Sequence, residues 1–269
     1  MKDNKLRNIL GHDLPSVSTR LWTARPVFIE ALGALGAYDY FEFLAEYSPF
    51  SQDDLENMAR AAELSGLGSM IKVDFLGRGY VAQKAIASGF QAILFADCLN
   101  AEDVAECVHL TMPGTPQEKG RFGYPNRRFI GYQPHLAQMD HAKREIEVVR
   151  AFMIEKKSAV DDIEAICQTP GVDMVQFGPS DYSMSCGKNL KDYREEAKDA
   201  ERRVISTAIK YNVAPRCEIQ SPMEAEYYAE LGVRHFSIGD QLPILTNAWK
   251  ENAEGLNKVL KSISQAIHE

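Results

Sequence analysis

The sequence predicts an α/β fold of one kind, a single (β/α)8 TIM barrel with an extended C-terminal helix, and three observations carry that prediction. Apolar, strand-like runs alternate with helix-like segments eight times at roughly even spacing. No linker, low-complexity run or charge block divides the 269 residues, a length ordinary for one barrel. The glycine patterns of open nucleotide-binding sheets are missing. No GxGxxG follows the first strand, and no GxxxxGK(S/T) occurs.

Residues 1–15 read as a polar lead-in, and 16–269 as the barrel domain. A short strand over 17–22 is followed by Pro26 at a helix start, an apolar helix to Leu35, and Gly36 as its stop. A strand over 38–44 precedes a helix that Ser51 should cap, with Asp54 at the capping-box position. The third unit is a strand over 69–73 and a helix over 80–88 closed by Gly89. The fourth is a strand over 92–95 and a helix over 101–110. Residues 111–132 hold seven Pro and Gly and predict a long loop, of the kind that usually carries function or disorder. A polar helix over 134–145 leads to strand five, 149–155. Helix 158–167 and strand 174–177 follow, then a long helix over 192–211. Strand 214–219, helix 222–231 and strand 235–238 complete the count. A long helix over 245–268, interrupted at Gly255, ends the chain.

The stretch from Met153 to Gly187 organises the rest. One apolar run ends in Glu155, and the next ends in Gly178-Pro179-Ser180-Asp181. Parallel neighbouring strands bring their C-terminal ends together, so these two carboxylates, one βαβ repeat apart, should face one pocket. Two hard oxygen ligands with room for water and substrate suit Mg²⁺ or Mn²⁺, with Co²⁺ as an alternative.

Composition narrows the function further. Thirty Lys and Arg against 38 Asp and Glu give a formal charge of −8. That balance argues against nucleic acid and against an anionic membrane surface as partners. It leaves an anionic substrate open, because a bound metal reverses the local potential. The five cysteines are odd in number and form no CxxC, which excludes a zinc knuckle and a disulfide framework as the simplest reading. The N-terminal residues lack the apolar core of a signal peptide, and no apolar run approaches the ~18 residues of a membrane span. The expectation is a cytoplasmic protein. The six histidines show no HxH or HxxxH spacing, which argues against a histidine-built metal site.

These residues resemble the HpcH/HpaI aldolase/citrate lyase family, the class II, metal-dependent pyruvate-type aldolases, with this chain a divergent member. Leu21-Trp22 resembles a Leu-Trp at the family's first strand end. Glu46 and Pro49 sit where members carry Asp-Gly-Glu-His-x-Pro. Met153-Ile154-Glu155 resembles a Gln-Ile-Glu motif, and Gly178-Pro179-Ser180-Asp181-Tyr182-Ser183 resembles Gly-Pro-x-Asp-Leu-Ser. The resemblance implies a barrel, commonly hexameric through exchanged C-terminal helices, and so a homo-oligomer here. It implies a divalent metal on Glu155 and Asp181 that holds a 2-oxo acid such as pyruvate and stabilises an enolate. The departures are equally specific: Tyr47 stands at the catalytic His, Leu44 at its Asp, Lys72 at the strand-three Arg and Met153 at the Gln.

The reading is a carbon–carbon lyase of the aldolase type acting next to a 2-oxo acid. The alternatives are a decarboxylase or acyl-CoA lyase on the same scaffold, or a metal-binding pseudoenzyme. Lys72 offsets enolate charge, or is a solvent-exposed lysine; Arg78 is a substitute if its loop turns inward. Tyr47 moves a proton, or lines the pocket. Trp22 is core or pocket wall. Backbone N–H groups near Gly178, Pro179 and Ser180 hold the substrate carboxylate. Glu218 ends an apolar run, where an unpaired charge is costly, and is a substrate-binding candidate. Asp97 orients a metal-bound water or caps a helix, and Arg127 and Arg128 face a substrate anion or solvent.

Overall fold

The computed structural model describes residues 3–124, 128–133 and 135–268. The first half holds α1 (Lys5–Gly11), β1 (Ser16–Leu21), α2 (Pro26–Leu35), β2 (Tyr40–Leu44), α3 (Gln52–Ser65), β3 (Gly68–Val73), α4 (Gly77–Ser88), β4 (Ala92–Phe95) and α5 (Ala101–Thr111). Next come α6 (Gln138–Ile146), β5 (Val149–Ile154), α7 (Lys157–Asp161), α8 (Ile163–Gln168), β6 (Met174–Phe177) and α9 (Pro179–Ser185). The chain ends with α10 (Arg194–Lys210), β7 (Ala214–Ile219), α11 (Glu224–Glu230), β8 (His235–Asp240) and α12 (Gln241–His268). All eight strands run parallel and close into a barrel in sequence order, with β8 pairing back onto β1.

The strands read as apolar runs because most are buried on both faces. Outward-facing Phe41, Phe43, Ile71, Ile93, Phe95 and Phe152 pack under the helices in one continuous layer. Inward-facing Met70, Leu94, Ala151 and Met174 fill the lumen, together with Tyr40 and with Leu6 from α1. The lead-in therefore contains a helix. Asn4 caps it by accepting from the Arg7 N–H, and Arg7 forks onto Asp173 at 2.6 and 2.8 Å, docking α1 across the N-terminal mouth. Above this plug the lumen turns polar. Fully buried Arg216 donates to Glu42 Oε2 at 2.5 Å, Tyr40 Oη at 2.8 Å and Ser18 Oγ at 3.0 Å, so β7, β2 and β1 are tied across the barrel. Burial, then Arg216, pushes His235 down to about 4, and the neutral ring pairs with Ser16 Oγ at 2.9 Å.

Several boundaries differ from the sequence reading, each for a local reason. The Ser51–Asp54 capping box and the left-handed Gly36 and Gly89 caps form as expected. The helix expected over 158–167 is two, α7 and α8, because Asp162 leaves helical geometry and its carboxylate accepts from the Ala101 N–H at 2.7 Å. Helix α12 starts four residues earlier than expected, at Gln241, and runs through Gly255 without a break. A glycine in open space costs a helix only about 1 kcal/mol, too little to interrupt 28 residues. Strand β8 runs on to Asp240 through Gly239, whose φ of 81° marks a register shift against β1. The long loop carries an isolated bridge, Pro113 to Phe122, and a single 3-10 turn over Arg128–Ile130. Its helix begins at Gln138, and Pro134 and Arg127 lie outside the described residues. Among the described residues no helix is long and apolar enough to cross a membrane.

Candidate active site

At the C-terminal mouth of the barrel, β5 ends one residue before Glu155 and β6 ends one residue before Gly178. Pro179 then starts α9, which places Asp181 in that helix's first turn. Glu155 is 2% exposed, and its Oε1 accepts from the Asp97 N–H at 2.9 Å. Asp97 reaches it by adopting a left-handed backbone, φ 60°, uncommon for a residue other than glycine. Gly178 is needed for contact: a Cβ there would lie 2.7 Å from Glu155 Cβ and 2.9 Å from Oε2. The Gly-Pro-Ser-Asp turn thus lies directly on the Glu155 carboxylate.

Burial raises the Glu155 pKa, Asp181 raises it further, and Lys72 and the Asp97 N–H oppose them. Lys156 bridges to Asp97 Oδ1 at 2.7 Å and reaches Asp181 Oδ1 at 3.8 Å. A buried carboxylate beside a second one, with monovalent cations only at its margins, is a donor set that fits a hard divalent cation. Among the described residues no three His, Cys, Asp or Glu side chains form a metal-ligand cluster, so the set is a pair.

Lys72 is inward-facing on β3 and 8% exposed, which excludes a solvent-facing lysine. Its Nζ lies 2.7 Å from Glu46 Oε2 and 5.4 Å from the centre of the Tyr47 ring. The Glu46 contact is an ion pair without hydrogen-bond alignment. Burial works against the Lys72 charge, but Glu155 and Glu46 outweigh it and hold the ammonium well above its ordinary range. Tyr47 is 56% exposed and stacks on Trp22, ring centres 5.8 Å apart. Partial burial first, then Glu46 and Asp181 against Lys72, pushes its phenol up to about 12. Trp22 is half-buried and donates from Nε1 to Asp240 Oδ1 at 2.6 Å, so it backs the Tyr47 ring.

A cleft of about 530 Å³ collects Tyr47, Lys72, Glu155, Gly178, Pro179, Ser180, Asp181 and Glu218. Arg78 turns away, onto the Phe75 ring and toward Glu106 at 2.8 Å. Arg128 is buried against Glu63 at 2.6 Å and does not line the cleft. The sequence did not single out Arg20. It enters the cleft from β1, donates to Glu218 Oε2 at 2.6 Å and lies 2.8 Å from Asp240 Oδ2. An arginine inside a strand of small residues was the available signal.

The fold and site define a closed parallel barrel with an acidic pair at the C-terminal strand ends, the end where barrels of this kind carry their chemistry. The chain belongs to the HpcH/HpaI aldolase/citrate lyase family, whose sequence model matches residues 53–233. Lys72, Glu155, Asp181 and Glu218 fall inside that match; Trp22 and Tyr47 fall before it. The chain is 23% identical to a hydroxypyruvate/pyruvate aldolase of Paraburkholderia phytofirmans, over 92% of this chain and 95% of that one. It is 24% identical to a 5-keto-4-deoxy-D-glucarate aldolase of Klebsiella pneumoniae, over 95% and 97%. A family member from Burkholderia cenocepacia superposes with a TM-score of 0.83 at 24% identity, covering 94% and 99%. A Mycobacterium tuberculosis citrate lyase beta subunit, solved with oxaloacetate and magnesium, superposes at 0.56 and 12% identity, covering 86% and 93%.

Proposed function

We propose that this protein is a divalent-metal-dependent carbon–carbon lyase of the aldolase type, which cleaves or forms a bond next to a 2-oxo acid such as pyruvate. The observation that supports this most is Glu155, buried against Gly178 and beside Asp181, with Lys72 facing the same cleft. Glu155 and Asp181 are the residues that would hold Mg²⁺ or Mn²⁺, with Co²⁺ as an alternative. When bound, that ion supplies Lewis-acid polarisation of the 2-oxo group. The N–H groups near Gly178, Pro179 and Ser180 orient the substrate carboxylate. Lys72, fixed by Glu46, offsets negative charge as the enolate develops. Tyr47, neutral up to about 12, lines the pocket.

That value gives a direct expectation. Tyr47→Phe should keep both limbs of the pH–rate profile between pH 6 and 9, because no phenol titrates there. A limb that disappears in the variant would make Tyr47 a proton-transfer group. One observation favours a second reading, decarboxylation of a 2-oxo diacid. Among the described residues that line the cleft there is no histidine, and loss of CO₂ generates an enolate without a base. Turnover of a 4-hydroxy-2-oxo acid and of oxaloacetate, each with Mn²⁺, separates the two. Cleavage of the hydroxy acid supports the lyase; turnover of oxaloacetate alone supports the decarboxylase; neither leaves the pseudoenzyme.

The assembly is a homo-oligomer in this proposal, a hexamer by resemblance. Helix α12 leaves Trp249, Leu256, Val259, Leu260 and Ile263 between 49% and 63% exposed, more apolar surface than a solvated helix face carries. The side chain of Ile267 lies outside the described residues. Light scattering at micromolar concentration should give a multiple of 30.1 kDa, and a monomer would contradict the proposal.

A further inference from the structure

Bond formation next to a 2-oxo acid needs a second reactant, and the β7–β8–β1 side of the cleft has the chemistry to choose it. Arg20 is the cation there, and it is shared by two carboxylates, Glu218 at 2.6 Å and Asp240 at 2.8 Å. The wall therefore keeps negative charge. Asp240 is consumed further by Trp22 Nε1 and by the Leu242 N–H. Glu218 is not. Its Oε2 is held by Arg20, while Oε1 has, among the described residues, one long contact, 3.4 Å from Gln220 Nε2, and the residue lines the cleft. Two more carboxylates continue this wall. Glu224 accepts from the Gln220 N–H, and Glu201 from Tyr228 Oη. The cations that line the cleft from α10, Arg194 and Lys198, are both exposed, and Lys198 lies 3.8 Å from Glu195. Lys72 is committed to Glu46 and Glu155.

We infer that this wall selects an uncharged, hydroxyl-bearing aldehyde as the electrophile. Glu218 Oε1 accepts from its hydroxyl, and Arg20 positions Glu218. The inference rests on the lyase reading above. In the bond-forming direction the C3–H bond of pyruvate breaks and its proton passes to water in the cleft, C3 bonds to the aldehyde carbon as the aldehyde C=O π bond opens, and the resulting alkoxide oxygen takes a proton back from water; nothing is oxidised or reduced. An ionised carboxylate accepting from a hydroxyl is a strong, directional bond, and a like charge on the aldehyde would meet Glu218 unpaired.

Glycolaldehyde and glyoxylate have the same number of carbons, one ending in a hydroxyl and one in a carboxylate, and each can be added to pyruvate and Mn²⁺. The wild type should favour glycolaldehyde by on the order of 10-fold or more in kcat/KM. Glu218→Gln should lower that ratio roughly 10-fold, chiefly through KM for glycolaldehyde, while glyoxylate improves. Arg20→Lys should retain more of the ratio than Arg20→Met. A wild-type preference for glyoxylate overturns the inference without any variant, and so does an equal loss for both aldehydes in Glu218→Gln. Deuterium exchange into the pyruvate methyl group separates the two levels. Exchange without the glycolaldehyde preference sinks the electrophile assignment alone; no exchange sinks the lyase reading and this inference with it.

Discussion

Lys72→Ala should lower kcat by on the order of 10²-fold on any substrate the wild type turns over, with a smaller change in KM. An enolate concentrates negative charge that the ground-state ketone lacks, so a second cation beside it strengthens as the bond breaks and acts on rate more than on binding. Lys72 fits that role because it is 8% exposed, inward-facing and held as an ammonium by Glu155 and Glu46. Lys72→Arg should recover a substantial part of the loss, since the guanidinium keeps the charge and presents two parallel N–H donors in a fixed fork. The variant has a structural side effect that needs its own control. Removing the ammonium leaves Glu46, with a side chain 9% exposed, without its partner, which typically costs about 3–5 kcal/mol. The double variant Lys72→Met, Glu46→Gln removes both charges and should recover stability but not rate. If Lys72→Ala keeps full kcat, Lys72 is there to neutralise Glu46 and nothing more.

Glu155→Gln and Asp181→Asn should each weaken Mn²⁺ binding by on the order of 100-fold or more, read by calorimetry. Loss of a group that only supports a ligand already costs 10–100-fold, and these two are proposed as the ligands themselves. Glu155→Gln keeps an oxygen for the Asp97 N–H and nearly the same shape against Gly178, so the melting temperature should change little. Asp181 is half-exposed in the first turn of α9, and its amide should be tolerated equally. Unchanged affinity in both variants would place any metal elsewhere.

The parts of this site that were legible in the sequence are those written along one βαβ unit. Glu155 and Asp181 follow apolar runs, and parallel pairing alone brings strand ends together. The eight-fold rhythm was legible for the same reason: barrel strands buried on both faces read as short apolar runs. Lys72 was legible as a charge ending such a run. Its partner was not, because the Glu46–Lys72 pair depends on β2–β3 register, Leu44 opposite Lys72. Glu218 was legible as a charge ending an apolar run, but its grouping with Arg20 and Asp240 was not. Arg20 and Glu218 are 198 positions apart, and Asp240 reaches them only after barrel closure and the register shift at Gly239. Helix α1 escaped notice because its seven residues carry only two buried side chains, too few to show a period. The left-handed Asp97 was invisible for a different reason: the residue type does not reveal the conformation that its neighbours impose.

Deuterium exchange into the methyl group of pyruvate, followed by NMR with and without Mn²⁺, tests the central claim most directly, because it asks only for a metal-dependent enolate and needs no second substrate. The account predicts exchange with the wild-type protein and Mn²⁺, its loss on chelation, and its loss in Glu155→Gln at the same metal concentration. Exchange that survives chelation, or that Glu155→Gln leaves at the wild-type rate, would contradict it.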